Sequence, residues 1–268
     1  MPDRAEAFAE LMSRHRSIRS YAERTVDPVL LDTVLAQALA GSSSSGNLNM
    51  VSVIRTRDVE RKRVLYELHG KQPMVLQAPL VLTFCADSHR TRLWLAQRGA
   101  RLGFADLGAW HVAAFDAVIL AQTTALALQS HGLGMCYMGT TLYAVRAIAK
   151  FLELPQHCLP VTSMVVGWPA EAPAQRDRLP PAAWIHDERY HDPDAADIDA
   201  HFGRRDVRGW ERYRSMGQQV IDLMAEHGIT SLAQYYTSKI KYDPDLLGGF
   251  SADLRALLAE HGFLGEQA

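Results

Sequence analysis

Apolar positions three and four apart mark two early helices. Residues 3–13 place Phe8, Leu11 and Met12 on one face behind a potential N-cap, Asp3. "DPVLLDTVLAQALAG" (27–41) opens with a capping Asp27 and with Pro28 at the first helical position, and it closes on Gly41. Short apolar runs predict strands at "MVSVIR" (50–55), "PLVLTFCA" (79–86), "GMCYMG" (134–139) and "VTSMVVGW" (161–168). A charged helix over 58–69 joins the first two, and "LYAVRAIAKFLEL" joins the last two. "VAAFDAVILAQTTALALQSHGLG" (112–134) is apolar on nearly every side and ends in glycines. It predicts a central helix buried in a large core or at a subunit interface. Asp116 and Gln122-Thr123-Thr124 interrupt it, leaving no unbroken membrane-length run. After Pro180 the chain turns polar and is expected to wrap the surface before three shorter helices. The pattern predicts a single α+β domain with a C-terminal extension.

Composition narrows the partners. The 268 residues carry 28 basic and 30 acidic side chains, so no global field favours nucleic acid or a membrane surface. Three scattered cysteines, Cys85, Cys136 and Cys158, form no CxxC pair, which argues against a zinc ribbon or a disulfide framework. The amphipathic, charged start does not read as a signal peptide, and the chain is expected to be cytoplasmic.

Against that neutral background the cations cluster. "SRHRSIRSY" (13–21) holds Arg14, Arg16, Arg19 and His15, "GSSSSGNLN" offers hydroxyls on a loop, and "QRDRLP" sets Arg176 and Arg178 two apart. Arginine forks, hydroxyls and backbone N–H groups are what a phosphate needs. In an extended segment, alternation sends His15, Ser17 and Arg19 to one side. No GxGxxG or GxxxxGK[ST] occurs, so a phosphate here points to a mononucleotide held by side chains.

In chain order, "HRSIR", "SSSS" with Gly46-Asn47, "GKQPMVLQAP" before "FCAD", "HGLGMCYMG", "LPQHCLP" and "GWPAEAPAQRDRLP" resemble the FMN-dependent nitroreductase family. The likeness is to its NADPH-linked, oxygen-insensitive nitroreductase and flavin reductase branch, over residues 8 to about 190. The resemblance implies an α+β fold with a mostly antiparallel four- or five-stranded sheet, in an intertwined homodimer whose FMN sites are built from both subunits. It implies NADPH or NADH as co-substrate, ping-pong order, and nitroaromatic, quinone or flavin acceptors. It assigns His15, Arg16 and Ser17 to the FMN phosphate and ribityl chain, Arg176 and Arg178 to the phosphate, and Arg19 to the ring near N1 and O2. Gln72 falls at the pyrimidine edge, and Ser43, Ser44, Ser45 and Asn47 come from the partner. Tyr137, Met138, Gly139 and Thr140 lie against the ring, with a backbone N–H near N5. No general acid is assigned.

Each assignment has a structural counterpart. His15 also suits a helix C-cap, Tyr137 a core strand, Asn47 a turn and Cys136 a small buried residue. His186-Asp187 and His191-Asp192 suggest metal ligands or a surface loop, and the first option leads to a metal-dependent hydrolase. A flavin-binding sensor or carrier without turnover is the other alternative. The chain departs from the branch where a second glycine is common and Thr140 stands instead. The branch's arginine-bearing loop for NADPH is also missing. Lys239 and Lys241, if extended, or Arg204, Arg205 and Arg208 are the expected readers of a 2′-phosphate.

Overall fold

A computed structural model describes residues 3–264, in two compact units. Everything described up to Gln175, together with the stretch from Ala252 on, forms the first, and Arg176–Ser251 forms the second. The first unit contains α1 (Arg4–Ser13), α2 (Pro28–Ala40), β1 (Val51–Thr56), α3 (Val59–Leu68), α4 (Met74–Gln77), β2 (Leu80–Asp87), α5 (His89–Gln97), α6 (Leu107–Ser130), β3 (Gly134–Tyr137), α7 (Val145–Phe151) and β4 (Cys158–Gly167). Asp3 and Asp27 accept from backbone N–H groups two residues on, as their positions predict.

The strands form one antiparallel sheet in the order β1-β2-β4-β3, which matches the α+β expectation. Every residue of β2 is buried, so it lacks the polar alternation of a half-exposed strand. Its Leu80, Leu82 and Phe84 pack with α2 and α6, whereas Val81 faces Leu65, Val75 and Val165 on the other side. Each such fully buried side chain contributes roughly 1.5–3 kcal/mol.

By length and composition α6 is apolar enough to cross a membrane, yet 44% of its most apolar window lies inside the protein. Its buried side carries Ala113, Ala117, Ala121 and Leu128, and its outer side exposes Leu107, Phe115, Val118 and Ile119. The small inner residues let the helix sit close on the sheet.

The second unit holds α8 (Ala195–Arg214), α9 (Gln218–Glu226), α10 (Leu232–Tyr236) and the start of α11 (Pro244–Glu260). Here the sequence expectation fails, because the polar stretch forms a twenty-residue helix in α8 rather than a surface wrap. Asp194 and Asp197 close a capping box, and Trp210 and Tyr213 pack on Met224, Ile229 and Tyr235. The many charges masked that apolar stripe. Lys239 and Lys241 are not on an extended segment either. The chain turns back on itself, with the Lys241 N–H bonding Ser238 O at 3.1 Å and the Tyr242 N–H bonding Tyr236 O at 3.2 Å.

Candidate functional site

Residues 15–21 run along the edge of β3. Ser17 pairs with Met135 in parallel, the Ile18 N–H donates to Met135 O at 2.9 Å, and Tyr21 pairs with Pro169. Two glycines permit this approach: a Cβ on Gly134 would stand 2.7 Å from Ile18, and one on Gly167 2.9 Å from Tyr21. Ile18 and Tyr21 are buried, and the Tyr21 hydroxyl donates to Ile18 O at 2.6 Å. Burial, with smaller contributions from Cys136 and Glu171, pushes that phenol well above its ordinary range. Glu171 accepts from the backbone N–H groups of Arg19 and Ser20 and fixes the far end of the segment.

The side chains of this segment divide. His15 is half-buried, with Nδ1 2.9 Å from Gln129 Oε1 at the C-terminal end of α6. Arg16 donates to Arg14 O and, with Arg14 and Ile18, lines a cavity of ≈ 750 Å³ that Ser17, Arg19, Gln72, Tyr137 and Thr140 do not line. Arg19 is exposed, makes only a long 3.4 Å bond to Ser17 O, and pairs with no carboxylate among the described residues. Burial raises the Cys136 thiol, which the Arg19 cation and a bond from Ser17 partly offset. Cys136 therefore stays a buried thiol.

β3 ends in a single helical turn over Gly139–Tyr143. The Tyr137 hydroxyl donates to Gln122 Oε1 at 3.4 Å, and burial pushes it up to about 12. Met138 is buried. Gly139 is exposed, with no atom within 4 Å of where a Cβ would stand. The first N–H groups of a helical turn lack acceptors inside it, so Gly139 and Thr140 present backbone donors on an open face. Gln72 joins them, its Nε2 donating to Thr140 Oγ1 at 3.2 Å and to His69 O at 3.1 Å. The sequence did not single out His69, a helix-end residue without periodic signal. It is fully buried, Nδ1 lies 2.9 Å from Thr140 Oγ1, and burial lowers its pKa to about 4.

The serine loop is elsewhere. Ser44 Oγ donates to the buried Asp116 carboxylate at 2.7 Å and accepts from the Asn49 N–H, and Met50 N–H also donates to Asp116. Asp116 is therefore an anchor. Its charge inside an apolar helix was the visible sign, read only as an interruption. Ser44 is committed to the fold, while Ser43, Ser45 and Asn47 remain exposed, the last with φ 54° after Gly46 at φ 58°. Asp116 and Gln129 are separated by thirteen residues of α6, or about 20 Å at 1.5 Å per residue. Along α6, the points of contact with His15 and with the serine loop thus lie about 20 Å apart.

In the second unit, Arg176 and Arg178 are exposed on either side of a half-buried Asp177, which Arg208 grips at 2.8 Å and Arg204 approaches at 3.9 Å. Arg205 lies over the Tyr236 ring, and Lys241 lies over Tyr213 and Tyr242. Of the two HD pairs, His186 Nδ1 accepts from the His191 N–H. No group of three or more His, Cys, Asp or Glu among the described residues is placed to hold a metal ion.

The groups gathered at the end of β3 suit a polar ligand that carries negative charge. An open glycine, backbone donors and an amide lie at one end of β3, and an unpaired cation lies beside it. Comparison with known proteins agrees. The chain is 36% identical over 185 residues to an FMN reductase [NAD(P)H] of Bacillus subtilis (strain 168), spanning 68% of this chain and 74% of that one. It is 34% identical over 181 residues to an oxygen-insensitive NADPH nitroreductase of Salmonella typhimurium, spanning 68% and 73%. Nitroreductase A from Vibrio parahaemolyticus has a similar structure, with a TM-score of 0.79 at 28% identity, covering 97% of this chain and 99% of that one. The nitroreductase family model matches residues 12–168, which hold the 15–19 segment, the serine loop, Gln72 and the turn after β3. This chain belongs to the nitroreductase family.

Proposed function

We propose that this chain is an NAD(P)H-dependent FMN oxidoreductase that reduces nitroaromatic, quinone or flavin acceptors in ping-pong order, as a cytoplasmic homodimer. Its family and the FMN reductases and NADPH nitroreductases it resembles support the reaction class. The single observation that carries the reading is the turn after β3, where an open Gly139 and the Gln72–Thr140 pair sit on a strand flanked by the unpaired Arg19.

When bound, FMN supplies hydride acceptance from the nicotinamide and hydride delivery to the acceptor. The protein's residues bind and orient. Arg19 offers a fixed cation to negative charge that develops on the ring. Gln72 holds the pyrimidine edge, and Tyr137 walls the site with the buried Met138 packed behind it, while Gly139 and Thr140 offer backbone donors. His15, Arg16 and Ser17 belong to the phosphate and ribityl end, with Arg176 and Arg178 on the phosphate. Ser43, Ser45 and Asn47, with Ser44 as the anchor of their loop, serve the partner's site. We assign this flavin-binding part to residues 1–190 and treat 191–268 as its extension. The dimer is supported by the 20 Å separation along α6 and by that helix's exposed row of Leu107, Phe115, Val118 and Ile119, which a subunit partner would cover.

The test is absorbance and turnover of the purified protein. Flavin bands and NADPH oxidation on adding a quinone or nitroaromatic are expected. A colourless protein refutes the cofactor, and a yellow one without turnover makes it a carrier.

A further inference from the structure

We propose that the Thr140 hydroxyl is locked as a one-way hydrogen-bond donor to the ring of bound FMN, with His69 as the positioning residue that locks it. The inference rests on the FMN reading above and concerns how this chain's own residues meet the ring.

It follows from counting donors and acceptors. Gln72 Nε2 faces His69 O, and only an N–H can satisfy a carbonyl oxygen there, so the amide orientation is fixed. Its second hydrogen points to Thr140 Oγ1, which occupies one lone pair of the hydroxyl. His69 Nδ1 is the other neighbour, at 2.9 Å. The ring is fully buried and Nε2 has no partner among the described residues. Burial holds the ring neutral near pH 7, so it carries a single N–H.

Two tautomers remain. With the proton on Nε2, a buried N–H has no acceptor. With the proton on Nδ1, only a lone pair is left unfilled. Orphaned buried N–H groups are the rarer case, so the proton belongs on Nδ1. Thr140 Oγ1 then accepts from both His69 and Gln72, and both lone pairs are used. Its own O–H has no acceptor within the cluster and is left to donate outward. The turn beside it opens at the exposed Gly139. A residue that can only donate selects for an acceptor, such as a ring nitrogen or carbonyl of the flavin.

Two measurements on the FMN-bound protein and its apoprotein test this. Nitrogen-15 NMR of labelled histidine near pH 7 should show His69 as the neutral Nδ1–H tautomer, and an Nε2–H tautomer overturns the proposal. In FMN titrations, Thr140→Val should weaken binding about five- to tenfold, while Thr140→Ser stays close to wild type. His69→Asn, whose amide N–H replaces Nδ1–H, should also retain affinity. Unchanged FMN affinity in Thr140→Val overturns the assignment, also if the KM for the electron acceptor rises instead. Failure of the wild-type protein to bind FMN at all would sink the functional reading and this inference with it.

Discussion

The C-terminal end of α6 and its middle, around Asp116, do opposite jobs. At Gln129 the C-terminal end of the helix meets His15 and the segment that borders β3, where Arg19 and the Gly139–Thr140 turn present open donors. At Asp116 a buried carboxylate ties down the serine loop through Ser44 and Met50. The first place has free groups on a rigid strand, and the second has a rigid anchor under free hydroxyls. With about 20 Å of helix between them, we propose that a second copy completes one site from both.

The largest expected effect lies outside both places. If Arg176 and Arg178 hold the phosphate as proposed, replacing both by alanine removes two charge-assisted contacts of about 1.5–3 kcal/mol each, and FMN affinity should drop by about two orders of magnitude or more. Near-normal affinity would transfer the phosphate to the 15–19 segment alone. Next, Asp116→Ala should destabilise the protein by about 2–4 kcal/mol, because the Ser44 hydroxyl and Met50 N–H lose a buried charged acceptor. Thermal melts measure it, and Gln129→Ala, at the less buried end, should cost clearly less. Equal losses would erase the contrast between anchor and open end.

The third effect is on pH. The folded-state pKa of His69, about 4, lies below its ordinary 6.5, so the unfolded chain takes up the proton first as pH falls. Its contribution is complete above about pH 6.5 and is lost between 6.5 and 4, by up to roughly 3 kcal/mol. Denaturant unfolding over that range should be shallower in His69→Asn than in wild type. Identical slopes would mean that the buried ring is not what titrates.

Much of this was legible in the sequence, for identifiable reasons. Asp3, Asp27 and Pro28 announce helix starts through backbone chemistry that needs no tertiary context. β2 reads as a buried strand because both of its faces are apolar. The hidden parts depend on partners distant in sequence. The packing face of α8 exists only against Met224, Ile229 and Tyr235, and its charges dominated the local pattern. His69 acquires meaning only from Thr140, seventy-one residues later. Asp116 was visible as an anomaly, but its role needs Ser44 and Met50 beside it.

Subunit complementation tests the shared site most directly. Arg19→Glu damages the open end and Ser45→Glu damages the serine loop, and each homodimer should hold little FMN. Co-expressed chains that pair at random should form mixed dimers with one intact and one doubly damaged site, restoring about a quarter of the wild-type FMN content. No recovery in purified mixed dimers would contradict the account, because it would mean that each chain builds its site alone.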